Sequence, residues 1–286
     1  MKTKATIIAL LLTITICSVW DGWFLTIENP DNVMGVNASF IMGVNISTGG
    51  GTPVNYTDTI SNNLSDELAY YWSLDETSGL ISIDRTNNAN GTISANLEIN
   101  EVGIQGRAYR FNETDDKVSY GNGVESITDE ITISVWSKKD KATTSVLPSA
   151  GESFIFSKRE SAASNPFNTF VISAINGGTN VRELLSVDGT YYYKDVSVPD
   201  TNWHLYSITY DGALITFYLD AVQTHNASAT GSITHSNTYE LTSGDIGIGG
   251  VRYYEGVTDE MGIWNISLNQ TQIEMIYNNG NGIPYN

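Results

Sequence analysis

Carboxylates are the most numerous reactive side chains in this sequence, 32 Asp and Glu against 14 Lys and Arg, and their spacing limits their chemistry. Asp115-Asp116, Asp129-Glu130 and Asp259-Glu260 are adjacent pairs. Neighbours on a strand point to opposite faces, so none of these pairs forms the facing dyad that cleaves a glycosidic bond. His204, His225 and His235 stand at no metal-ligand or triad spacing, and His204 reads as a structural residue. No catalytic residue is assigned, and the chain is read as non-enzymatic. The aromatic runs Tyr191-Tyr192-Tyr193 and Tyr253-Tyr254 offer a different chemistry, because aromatic rings stack on the apolar faces of sugars. Strand alternation lets at most two of the first three share a surface. The ligand-binding candidates taken from these runs are Tyr192, Tyr253 and Tyr254. Trp72, Trp136 and Trp264 sit amid alternating apolar residues and are assigned to the core.

A second set of reactive groups is the Asn-x-Ser/Thr acceptors at Asn37, Asn45, Asn55, Asn63, Asn90, Asn112, Asn226, Asn265 and Asn269. They fit an exported glycoprotein. Lys2 and Lys4 precede an uncharged, mostly apolar run from Ala5 to Trp20, the layout of a signal peptide or of an N-terminal membrane anchor. The expected location is secreted or cell-surface. The net charge of −18 excludes nucleic acid as a partner, since phosphate binding needs clustered cations. Cys17 is the only cysteine, so there is no internal disulfide.

The elements that must position these groups are short strands. Trp203 to Asp220 is the clearest: two β-branched and aromatic runs flank Asp211-Gly212, which predicts a hairpin with a type I′ turn. That register puts Tyr206, Ile208 and Tyr210 on one face with Phe217, Ile215 and Ala213. Residues 21–66 are rich in Asn, Gly, Thr and Ser, contain MGVNAS and MGVNIS eight residues apart, and are expected to form a linker or stalk. From 67 to 286 about a dozen strands alternate with turn signals, as in a sandwich. Asn269 to Asn279 carries the helical stripe Ile273, Ile276 and Tyr277, with Gly280 as a left-handed cap.

Several separated motifs agree in order with one family. YYWSLDETSG (70–79), GIQGRAYRFN (103–112) followed by Asp115, Asp116 and Val118, ITISVWSK (131–138), the hairpin, and GVTDEMGIWNISLNQTQIEMIYNNG (256–280) together resemble the laminin-G-like jelly rolls of the concanavalin-A-like lectin and glucanase superfamily. Ala221 stands where that family usually has Gly. The resemblance implies an all-β fold: a two-sheet antiparallel jelly-roll sandwich with one short C-terminal helix, here preceded by the N-terminal export or anchor segment. It also implies a structural Ca²⁺ held by Asp259 and by the turn that carries Asn112, Glu113 and Asp116. Glycosidases of the superfamily use an E-x-D-x-x-E strand, which this sequence lacks. The expected function is a non-catalytic binding or adhesion module for glycans or surface glycoproteins. The alternatives are a surface, filament or virion component that self-associates through the jelly roll, and a divergent glycoside hydrolase.

Overall fold

A computed structural model describes the strand backbone at residues 13–19, 22–29, 45–48 and 54–55, and residues 64–65, 67–112, 116–140, 151–159, 168–235, 239–245 and 254–284 in full. The chain divides into two compact units, Met1–Asp66 with Asn286, and Glu67–Tyr285. In the first unit β1 (Thr13–Val19) and β2 (Gly22–Asn29) pair antiparallel, β3 (Asn45–Thr48) runs parallel to β2, and β4 (Val54–Asn55) closes the sheet. The apolar run expected to act in export thus contains β1; the repeat copy at 34–39 lies outside the described residues.

The second unit is a sandwich of two eight-stranded sheets. Its strands are β5 (Leu68–Trp72), β6 (Ile81–Ser82), β7 (Gly91–Ile93), β8 (Glu98–Val102), β9 (Arg107–Asn112), β10 (Val118–Ser119), β11 (Ile131–Lys139), β12 (Glu152–Arg159), β13 (Asn168–Ile175), β14 (Asn180–Val187), β15 (Thr190–Ser197), β16 (His204–Tyr210), β17 (Leu214–Leu219), β18 (Val222–Ser228), β19 (Leu241–Ser243) and β20 (Glu255–Trp264). One sheet has the order β18-β17-β16-β11-β20-β9-β8, with β5 also on β20; the other runs β15-β14-β13-β12-β19-β10-β7-β6. This is the expected all-β architecture.

Alternation builds the core between the sheets. Ile131, Ile133 and Val135 of β11, Tyr206, Ile208 and Tyr210 of β16, and Met261 and Ile263 of β20 face Phe156, Phe170, Ile172 and Leu185 of the opposite sheet. Trp72 lies in this core, packed at 4.3 Å on Tyr120. Trp136 and Trp264 are equally buried but fall on the other side of their strands. There Trp136 stacks on Tyr277 of α1 (Gln270–Tyr277), with ring centroids 5.6 Å apart and planes 13° apart.

The hairpin forms with a different turn. Tyr210 pairs with Ile215 and Ile208 with Phe217, a register two residues beyond the expected one. The shift by two keeps every side chain on its predicted face. Positive φ falls on Gly212 alone (86°) of the central residues Gly212-Ala213, whereas a type I′ turn needs it at both. The Asp211 carboxylate explains the choice, since it accepts the Ala213 and Leu214 amides at 2.9 and 2.7 Å. The helix prediction holds, with a capping box between Asn269 and Gln272. Its left-handed cap is Asn278, two residues before Gly280.

Candidate functional site: an aromatic and charged platform on the second sheet

Because Val181, Leu185 and Val187 point into the core, Arg182, Leu184 and Ser186 of β14 must face outward. The pairings Leu184 with Tyr193, Ser186 with Tyr191 and Arg182 with Asp195 carry that face onto the edge strand β15. In the other direction Leu184 meets Val171, and Val171 meets Ser157. Phe154, Val171 and Leu184, with Tyr191 against them, form a small apolar cluster apart from the main core.

Two guanidinium groups frame it. The Arg182 guanidinium lies 4.8 Å from the Tyr193 ring centroid and grips both Asp195 oxygens at 2.8 and 2.9 Å. Arg159 lies over Phe154 at 4.9 Å and donates to Glu152 at 3.2 Å, while the Ser173 hydroxyl donates to the other Glu152 oxygen at 2.8 Å. Tyr193 is 54% exposed, a large aromatic open to solvent. Next to the cluster, the hydroxyls of Ser157, Thr169 and Ser186 are buried without a hydrogen-bond partner. Such a surface can stack a sugar ring on an aromatic and bind vicinal hydroxyls through fixed donors and acceptors.

The sequence-predicted ligand residues fall elsewhere. Tyr192 pairs with Leu185 and packs against the main core, so the inward tyrosine of the run is the one expected to bind, and the outward pair is Tyr191 and Tyr193. Tyr254 is buried, its hydroxyl bonded to Ser137 at 2.8 Å and to the Lys138 carbonyl at 2.9 Å. Tyr253 lies outside the described residues. Alternation could have separated Tyr191 and Tyr193 from Tyr192, but only the register with β14 sets the phase.

Of the expected calcium donors, the described residues Asn112, Asp116 and Asp259 are placed apart. Asp259 accepts from the Ile104 and Gln105 amides at 2.8 and 3.1 Å through one oxygen, and from the Glu260 amide at 3.0 Å through the other. Asn112 pairs with Glu255, four residues back along β20 and thus about 13 Å from Asp259. Asp116 turns to the Asn112 amide at 3.1 Å, and Glu113 lies outside the described residues. Asn112 and Asp259 are thus too far apart to touch the same ion, whose ligands lie at about 2.4 Å. Among the described residues no group of three His, Cys, Asp or Glu side chains could hold a metal. Burial, and after it the neighbouring Glu260, pushes the Asp259 carboxyl up to about 9; burial pushes Glu260 up to about 8.

His204 lies between two carboxylates. Its Nδ1 meets Asp220 at 2.7 Å and its Nε2 meets Asp200 at 3.0 Å, and hydrogen bonding to Asp220 leads the effects that raise its pKa. Both ring nitrogens face carboxylates, and an imidazolium donates to both. Of the sequons, Asn90, Asn112, Asn226, Asn265 and Asn269 are exposed. Asn90 accepts the Asp84 amide and Asn269 caps α1, whereas Asn226 stands on the edge strand β18. Asn37 and Asn63 lie outside the described residues, as do the side chains of Asn45 and Asn55.

A fold of this kind, with its outward platform, defines a lectin-like jelly roll. The chain belongs to the concanavalin A-like lectin/glucanases superfamily, through its Laminin_G_3 family, whose model matches residues 112–274. Among solved structures it is similar to the botulinum neurotoxin serotype D ligand-binding domain in complex with N-acetylneuraminic acid, at 12% identity and a TM-score of 0.59, covering 77% of this chain and 52% of that one. It is also similar to the binding domain of botulinum neurotoxin DC in complex with SialylT, at 16% identity and a TM-score of 0.57, covering 75% and 51%. Domain 4 of AbnA, a GH43 extracellular arabinanase from Geobacillus stearothermophilus, in complex with arabinotriose, matches at 18% identity and a TM-score of 0.53, covering 73% and 97%. The match spans about half the length of the toxin structures and nearly all of the arabinanase domain. No curated protein matches the chain.

Proposed function

We propose that this protein is a non-catalytic glycan-binding module and that the outward side of β12 to β15 is its binding face. The observation that carries the reading is the exposed Tyr193 ring stacked on Arg182, with that guanidinium fixed by both Asp195 oxygens. A stacked ring beside a rigid donor and acceptor pair loses little side-chain entropy on binding a sugar. Three of the similar structures were solved with saccharide ligands, which supports this use of the fold. The apolar run from Ala5 to Trp20 and the nine sequons support an exported or cell-surface location, where such ligands occur.

A glycan array probed with the full chain, followed by calorimetry on the hits, tests the reading. Tyr193→Ala and Arg182→Ala should each weaken binding about tenfold or more, the loss typical of a stacking or bidentate anchor. Retention of no saccharide, or full affinity in both variants, would overturn the assignment of this face.

A further inference from the structure

We propose that the platform selects neutral sugars and rejects acidic ones. The proposal rests on the glycan-binding reading and adds the charge class of the ligand. A carboxylate- or sulfate-bearing sugar needs a cation that is free to meet it, and the described platform offers none. Arg182 gives Nε and Nη2 to Asp195, and Arg159 gives Nη1 to Glu152, so two cations meet two anions. The two other lysines of these strands lie on the opposite side of the sheet. Lys158 is buried against Glu125 at 2.7 Å, and Lys194 shares the inward phase of Tyr192.

Bringing an anion to Arg182 would force Asp195 from its guanidinium or hold two like charges against one cation, and either costs free energy. The chain's net charge of −18 adds a long-range field that repels anions further. Neutral hydroxyls meet no such opposition. They can donate to Asp195 and accept from the outer N–H groups of Arg182.

The test is calorimetry of the full chain against neutral arabino-, xylo- and gluco-oligosaccharides and against sialyllactose and oligogalacturonate. Neutral ligands should bind at least about tenfold more tightly, and their Kd should change less than about twofold between 0.05 and 0.5 M NaCl. Asp195→Asn frees Arg182 and should shift the acidic-to-neutral affinity ratio about tenfold toward acidic sugars. Asp195→Glu keeps the charge and should keep the neutral preference; equal melting midpoints establish that both variants fold. Tighter binding of acidic sugars by the parent chain, or an unchanged ratio in Asp195→Asn, overturns the selectivity and leaves glycan binding standing. Binding to neither class overturns the glycan-binding reading itself.

Discussion

Glu183 lies in the inward row of β14 between Val181 and Leu185, a carboxyl set in the apolar core. Burial raises its pKa well above the usual carboxylate range, opposed in part by the Ser207 backbone. The folded chain therefore keeps this proton while the unfolded chain releases it near pH 4.5. Above that pH the unfolded state binds fewer protons, so stability falls as pH rises, by up to about 1.4 kcal/mol per pH unit, until the folded group also ionises. Glu183→Gln should make melting curves between pH 4 and pH 9 less pH-dependent and raise the midpoint at pH 8. Asp259 and Glu260, raised to about 9 and about 8, leave a residual slope of the same sign. A variant with the parent's pH dependence would show that Glu183 is not held protonated. This residue was not legible beforehand: RELLSV reads as an ordinary alternating strand, and nothing local tells which parity faces the second sheet.

At the scale of the element, the turn between β17 and β18 shows how a side chain can conflict with its backbone. Asp220 and Ala221 both have positive φ, 52° and 60°, and Ala221 pays no compensation through its own side chain. The turn is held from outside, by Asp220 on His204 and on the Leu205 amide and by Gln270 on the Ala221 carbonyl. Ala221→Gly should remove the left-handed strain and stabilise the protein by about 0.5–1 kcal/mol, read as a higher denaturant midpoint at unchanged slope. Loss of stability would mean that the restricted alanine lowers unfolded-state entropy by more than it strains the fold. The long apolar strands and α1 were readable from period and caps. The polar strand β18 was not, because VQTHNAS lacks the β-branched density of its partner and pairs only because β17 presents an open edge. The turn of the first hairpin was misread for a related reason: Asp-Gly suits type I′, but here the Asp side chain takes the amides that its backbone would otherwise engage.

For the whole molecule, the sandwich from Glu67 to Tyr285 contains every described part of the platform and its own core. A chain cut to residues 67–285 should unfold in one cooperative transition at the midpoint of the full protein and should bind the same saccharides. A broad, non-cooperative melt would show that residues 1–66 complete the fold. The family and the two-sheet architecture were readable because strand count, turn residues and motif order survive without knowledge of register. The binding face was not, because it depends on which parity of β12 to β15 points outward, and that phase comes from pairing across the sheets. The same gap misplaced Tyr192, whose partner Leu185 faces the main core.

The strand order also constrains how the protein is made. β20 is the last of the described strands, yet it sits in the interior of its sheet, paired with β11 on one side and with β9 and β5 on the other. Until residues 255–264 leave the ribosome, β9 and β11 have no common partner and the first sheet stays in three pieces, β18-β17-β16-β11, β9-β8 and β5 alone. The second sheet waits almost as long, since β19 is the bridge between β12 and β10. Folding of the sandwich during synthesis is therefore closed by β20, and a nascent chain arrested before Glu255 exposes the faces that the folded sandwich buries.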